Sequence, residues 1–106
     1  MERTERAWGY YTVLDEHAHY KLKEIVVSAN RCLSYQRHQH RDELWFVKSG
    51  KGTLILDGEA MVLNEQQHVF IRRGQWHQLI NGTNNPLRII EIQHGDQCEE
   101  EDIERQ

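Results

Sequence analysis

Apolar and aromatic residues fall along the chain in short runs: "GYYTVL", "YKLKEIVVS", "CLSYQRHQH", "LWFVKSG", "GTLILDGE", "AMVLN", "HVFIRRG" and "PLRIIEIQ". Each is rich in β-branched or aromatic side chains, and Gly, Asn, Asp or Pro separates one from the next, a pattern that predicts strands. Many short strands with frequent turns predict an all-β sandwich or barrel. Asp57-Gly58 sits between two apolar runs in "LILDGEAMVL". That dipeptide predicts a hairpin, because both central residues of a type I′ turn need positive φ. Gly50-Lys51-Gly52 marks a turn just before it, and "NGTNNP", Asn81 to Pro86, is a loop whose proline starts the last long strand. Beyond Gly95 the pattern stops, and "DQCEEEDIERQ" reads as an acidic tail that either forms a short C-terminal helix or stays a solvated end.

With 106 residues, no linker and no internal repeat, the chain is expected to be one domain, residues 1–106, with the tail at 96–106. Hydrophobic residues at 38% and charged residues at 28% are those of an ordinary water-soluble domain. A net charge of -4 gives no electrostatic reason to bind nucleic acid or an anionic membrane. No apolar run reads as a signal or a membrane span, and Cys32 and Cys98 do not make a disulfide framework, so a cytoplasmic protein is expected.

Seven histidines are many for this length, and their spacing carries the chemistry. In "LSYQRHQHRDELW" a strand would turn Gln36, His38 and His40 to one face and Arg37 and Gln39 to the other. Glu43 is out of phase with them, and a turn or bulge at Arg41-Asp42 would bring it back. In "RRGQWHQLIN", Gly74 permits a sharp turn before His77. His38, His40, Glu43 and His77 then form a three-His, one-Glu set suited to a divalent transition metal, with zinc, manganese, cobalt, nickel and iron all compatible. Gln36 would stand beside it.

These residues resemble the two signature motifs of the cupin superfamily, here about 33–50 and 66–81. Within that superfamily the chain is most similar to the cupin domain of type II mannose-6-phosphate isomerases, a domain often fused behind a mannose-1-phosphate guanylyltransferase. The likeness includes Arg6, Trp8, Gly9 and Tyr10, "YKLK" from Tyr20, "LSYQRHQHRDELW", "EQQ" from Glu65, Gly74 with His77 and Asn81, "PLRIIEIQ", and "EDI" with Arg105. The chain departs from the family at Ala7, at Asn30, which can still adopt the left-handed conformation, at Arg72 in place of a proline, and at Leu44 in place of a histidine. The resemblance implies a single double-stranded β-helix or jelly-roll barrel that binds a small phosphorylated sugar. It also implies metal-dependent interconversion of mannose 6-phosphate and fructose 6-phosphate through an enediol. A non-catalytic metal- or sugar-binding cupin and a cupin dioxygenase are the alternatives.

For an isomerase, the metal would serve as Lewis acid. Arg41, turned inward, would stabilise the enediolate, or else form a surface ion pair with Asp42 or Glu43. Glu91 on the last strand is the candidate base. Lys21 and Lys23, on one face of a strand, are the first candidates for the phosphate, and Arg72 and Arg73 the second; each pair alternatively belongs to a solvated face. Exposed strand edges lead us to expect a homodimer, with "GYYTVL" as its edge or exchanged element.

Overall fold

The computed structural model describes residues 2–96 and 98–106. Among them there are twelve strands and no helix: β1 (Arg3–Arg6), β2 (Gly9–His17), β3 (Tyr20–Val27), β4 (Arg31–Cys32), β5 (Gln36–Arg37), β6 (Arg41–Ser49), β7 (Gly52–Leu56), β8 (Glu59–Leu63), β9 (His68–Ile71), β10 (His77–Asn81), β11 (Leu87–Gly95) and β12 (Glu104–Arg105). No helix of the described residues is long and apolar enough to cross a membrane.

Two six-stranded sheets form the barrel. The first runs β1-β2-β3-β11-β6-β9, and the second β12-β5-β10-β7-β8 with β4 also on β10; every pairing is antiparallel. Alternation along the strands sends Ile25, Val27, Trp45, Val47, Ile71, Leu87 and Ile89 of the first sheet inward, against Leu54, Leu63 and Leu79 of the second. Burying a side chain of this size is worth roughly 1.5–3 kcal/mol, so this layer holds the sheets face to face.

The hairpin at Asp57-Gly58 forms as expected, with φ of 47° and 85°, and joins β7 to β8. Asn30 adopts the left-handed conformation, φ 59°. Asn81 is fully buried; its amide donates to the carbonyls of Val27, Ser28 and Asn85, tying the 81–86 loop to the end of β3.

Three expectations are corrected. "CLSYQRHQH" is not one strand: only β4 and β5 form, and the chain bends at Gln39 and His40 before β6. "GYYTVL" is not a sheet edge, because β2 lies between β1 and β3. The tail is neither a helix nor a free end: it crosses the barrel mouth and adds β12 to β5, with Glu104 opposite Arg37. Gln106 N–H donates to the Tyr35 carbonyl, and Glu104 accepts from Arg37 at 2.9 Å and from Gln39 at 2.8 Å. The physical cause is charge: an acidic tail is drawn to a barrel mouth carrying Lys21, Lys23, Arg37 and Arg41.

Candidate metal centre and cavity

The inner face of the first sheet changes character along its length. One end is apolar; at the other, the inward positions of β3, β6 and β11 are Lys21, Lys23, Arg41, Glu43, Glu91 and Gln93, none more than 6% exposed. Register puts Glu91 between Lys23 and Trp45, and Gln93 between Lys21 and Glu43. The outer face is inverted in the same stretch: Leu22, Leu44, Ile90 and Ile92 point outward, beside Phe46 and Phe70.

His38, Glu43 and His77 converge, with one donor atom from each lying within 4.8 Å of the others. Glu43 projects inward from β6, and His77 opens β10 after the turn at Gly74, φ 84°. The His38 ring nitrogen Nδ1 bonds to the Asp102 carbonyl, and His77 Nδ1 to the Gln75 carbonyl at 3.0 Å. A carbonyl only accepts, so both rings carry their proton on Nδ1 and turn the Nε2 lone pair toward Glu43. His38 Nε2 lies 3.2 Å from Glu43 Oε2, and His77 Nε2 lies 3.8 Å from Glu43 Oε1. Burial, with the Arg41 charge beside it, pushes His38 down to about 4, and burial likewise lowers His77. Both rings are therefore neutral at pH 7, the form that ligates metal.

His77 Nε2 is buried and has no hydrogen-bond partner among the described residues. An orphaned lone pair facing a carboxylate is unfavourable unless a cation sits between them. The donor set thus fits a divalent ion held by His38, Glu43 and His77. Arg41 meets part of that need: Nε donates to Glu43 Oε2 at 2.9 Å, Nη2 lies 3.2 Å from His38 Nε2, and Nη1 donates to the Glu99 carbonyl at 3.0 Å. It is a buried ion pair with Glu43 rather than a surface one; Asp42 pairs instead with Arg73.

His40 does not join the group. The bend at Gln39-His40 breaks the two-residue alternation and leaves the His40 side chain exposed, while the Asp102 carboxylate caps the bend by accepting from the backbone N–H groups of Gln39 (3.0 Å) and His40 (2.9 Å). The turn expected at Arg41-Asp42 lies two residues earlier, at Gln39-His40, so β6 already begins at Arg41, and Arg41 and Glu43 share its inward face. The expected three-His set is a two-His, one-Glu set.

Glu91 lies beside this group. The Trp45 indole N–H is shared between Glu91 Oε2 (3.0 Å) and Glu43 Oε1 (3.1 Å), and Gln93 Nε2 donates to Glu91 Oε1 at 2.6 Å. Burial, reinforced by the Glu43 carboxylate, raises Glu91 to about 7. The Glu91 side chain borders a cavity of about 270 Å³, also lined by Lys23, Gln36, Glu100, Arg6 and Arg105. Lys21 and Lys23 are buried, not on a solvated face; both ammonium groups reach Glu100, at 3.4 and 2.7 Å. Arg72 and Arg73 do not line the cavity: Arg72 lies over the Phe70 ring, and Arg73 is exposed.

The sequence reading gave no role to Arg6, Gln93, Asp102, Glu100 or Arg105. Gln93 was findable, since it follows Glu91 at the strand period of two. Asp102 and Arg105 stood only in the family likeness, and Glu100 only in the acidic tail.

The family model for the C-terminal region of mannose-6-phosphate isomerase matches residues 1–106. The chain belongs to that family. It is 40% identical over 100 residues to alginate biosynthesis protein AlgA of Pseudomonas fluorescens, covering 94% of this chain and 21% of that protein. It is 37% identical, with the same coverage, to the mannose-1-phosphate guanylyltransferase of Escherichia coli K12. The chain therefore spans about a fifth of the length of the curated relatives it matches. Among solved structures, a double-stranded β-helix protein from Klebsiella pneumoniae superposes with a TM-score of 0.83 at 15% identity, covering 97% of this chain and 88% of that one. A cupin-superfamily sugar phosphate isomerase from Silicibacter pomeroyi superposes with a TM-score of 0.74 at 15% identity, covering 80% and 58%. The fold is the cupin double-stranded β-helix.

Proposed function

We propose that the chain is a metal-dependent isomerase interconverting mannose 6-phosphate and fructose 6-phosphate. The observation that carries this reading is a buried carboxylate, Glu91, that borders a sugar-sized cavity and is bridged by one indole N–H to the Glu43 of a metal-fitting group. Glu91 takes the proton from C2 of the open-chain aldose. The C–H electron pair becomes the C1–C2 double bond, and the C1 oxygen takes the negative charge. Transfer of the O2 proton to O1 and return of the proton from Glu91 to C1 complete the ketose. His38, Glu43 and His77 would hold a divalent ion, which would supply Lewis-acid stabilisation for the developing oxyanion. Arg41 acts as a positioning residue, holding Glu43 and His38, and adds positive charge beside them. Gln36, Lys21 and Lys23 are the proposed substrate contacts; Gln36 and Lys23 line the cavity. Cys32 and Cys98 are both free thiols, which suits the reducing cytoplasm as the compartment for this reaction.

The test is a coupled assay on metal-stripped protein reloaded in turn with zinc, manganese, cobalt, nickel or iron(II). Metal-dependent formation of fructose 6-phosphate is expected. No product with any ion, while binding of the ion is measured directly, overturns the proposal. The two-His, one-carboxylate set is also that of iron(II) oxygenases; oxygen uptake with iron(II) in place of sugar-phosphate turnover would favour that second reading.

We assign the homodimer to the outer face of the first sheet rather than to a strand edge. One row across the sheet reads Leu22, Ile92, Leu44 and Phe70, and the next includes Ile90 and Phe46, with Phe46, Phe70 and Ile92 39–48% exposed. The rim carries both signs, Glu24 with Lys48 and Asp42 with Arg73, so the face is complementary in charge to a second copy of itself. Light scattering is expected to give twice the chain mass for the wild type and one chain mass for Phe46→Lys. A wild-type monomer, or a Phe46→Lys dimer, overturns the assignment.

A further inference from the structure

Lys21 and Lys23 are an unusual pair: two ammonium groups on one strand face, with side chains 8% and 5% exposed, sharing one oxygen of a single carboxylate. Lys21 also reaches Glu16 at 3.3 Å, and Lys23 lies 4.0 Å over the Tyr11 ring. Burying two cations against each other is costly without a concentrated negative charge between them. Glu100 supplies only one charge. Its side chain is 43% exposed, far more than the lysines it serves, so water reaches it, as it reaches Glu16, 60% exposed, on the far side of Lys21. Burial opposes its ionisation, but Lys23, with Lys21 and Arg41, more than offsets this and holds its pKa below the usual carboxylate value.

The backbone on either side of Glu100 is fixed independently of that side chain. Arg41 binds the Glu99 carbonyl, and Asp102 caps the bend at Gln39-His40. The Glu100 carboxylate can therefore leave the lysines by side-chain rotation while the tail stays docked. Arg6 and Arg105 line the same cavity as Lys23 and Glu100, and no carboxylate pairs with either guanidinium among the described residues.

We propose that Lys21 and Lys23 form a subsite for the phosphoryl group of the ligand, and that Glu100 is its built-in competitor, an internal carboxylate that a phosphoryl group displaces. The identity of the anion as phosphoryl rests on the sugar-phosphate reading above. A phosphate brings more charge than a carboxylate, and three acceptor oxygens, to two ammonium donors. Displacement also places the ligand beside Glu91, which stands opposite Lys23 in the sheet register. The apparent affinity for phosphate is then the intrinsic affinity reduced by the fraction of molecules in which Glu100 has swung away.

The experiment is calorimetric titration of the metal-free chain, residues 1–106, with inorganic phosphate at fixed low ionic strength. Glu100→Gln keeps the size of the side chain and removes the competing charge; it is expected to bind phosphate about tenfold more tightly than the wild type. Lys23→Met is expected to lose the binding, and if it does not fold, Lys21→Met reads the same loss. Phosphate affinity of Glu100→Gln equal to or weaker than wild type, in a variant with an unchanged melting temperature, overturns the proposal. Neither metal nor turnover enters this measurement. A gain in a protein without isomerase activity supports the subsite and removes only the proposed reaction; no gain in an active isomerase removes the subsite and leaves the reaction.

Discussion

Glu91→Gln is expected to lower kcat for mannose 6-phosphate by about a thousandfold, within the range that a positioned general base contributes. Metal affinity should be unchanged, because Glu91 is not in the His38, Glu43 and His77 group. The amide keeps an oxygen for the Trp45 indole N–H, its NH2 can donate to the unpartnered Gln93 Oε1 once the Gln93 amide turns over, and the capacity to take a proton is lost. The melting temperature separates a catalytic from a structural role. Glu91 is buried beside Glu43, and both that burial and that neighbour disfavour its charge. Replacing it with a neutral isostere is therefore expected to leave stability equal or higher, as happens when a strained buried charge is removed. A kcat within threefold of wild type would remove Glu91 as the base; a large drop in melting temperature with intact kcat would make it a structural residue.

The strands, the Asp57-Gly58 hairpin and the barrel class were legible because they depend on local rules: period-two patterning, β-branched composition and turn chemistry. Glu43, His77 and Glu91 were legible as residue types suited to a site. His40 was misread because alternation holds only while a strand lasts, and what ends this one is remote: the Asp102 carboxylate, more than sixty residues away, captures the N–H groups of the bend. The solvated-face alternative for Lys21 and Lys23 fails for a related reason. An apolar-in, polar-out reading of β3, β6 and β11 is correct near Val27, Val47 and Ile89 and reversed near Lys21, Glu43 and Glu91, and the pattern of a single strand does not say which set is inside. Only the register of three strands, which stacks Lys21 with Gln93 and Glu43, and Lys23 with Glu91, makes the polar set a common interior. The same reversal leaves Leu44, Phe46, Phe70 and Ile92 outside, so the site within and the apolar face without are two consequences of one inversion.

Gly95→Ala is expected to be the most destabilising single-methyl change near the site. A Cβ there would lie 2.2 Å from the His40 carbonyl oxygen and 2.7 Å from the Arg41 Cα, both backbone atoms that no rotamer change can move aside. Gly95 pairs with Arg41 in the sheet, and its N–H donates to the His19 carbonyl, so it cannot retreat without opening the end of β11. Overpacking that side chains absorb costs about 1–3 kcal/mol; a backbone collision should cost about 3 kcal/mol or more, which for a domain of this size lowers Tm by roughly 12 °C or more. The strain falls on the segment that carries His38 into the metal group and starts β6 at Arg41, so metal affinity should fall together with stability. Gly82→Ala is the control: nothing lies within 4 Å of the added methyl, and its melting temperature should stay within about 2 °C of wild type. A Gly95→Ala protein that melts like wild type and binds metal as well would mean that the bend at Gln39-His40 is not held against β11, and that the placement of His38 depends on the Asp102 cap alone.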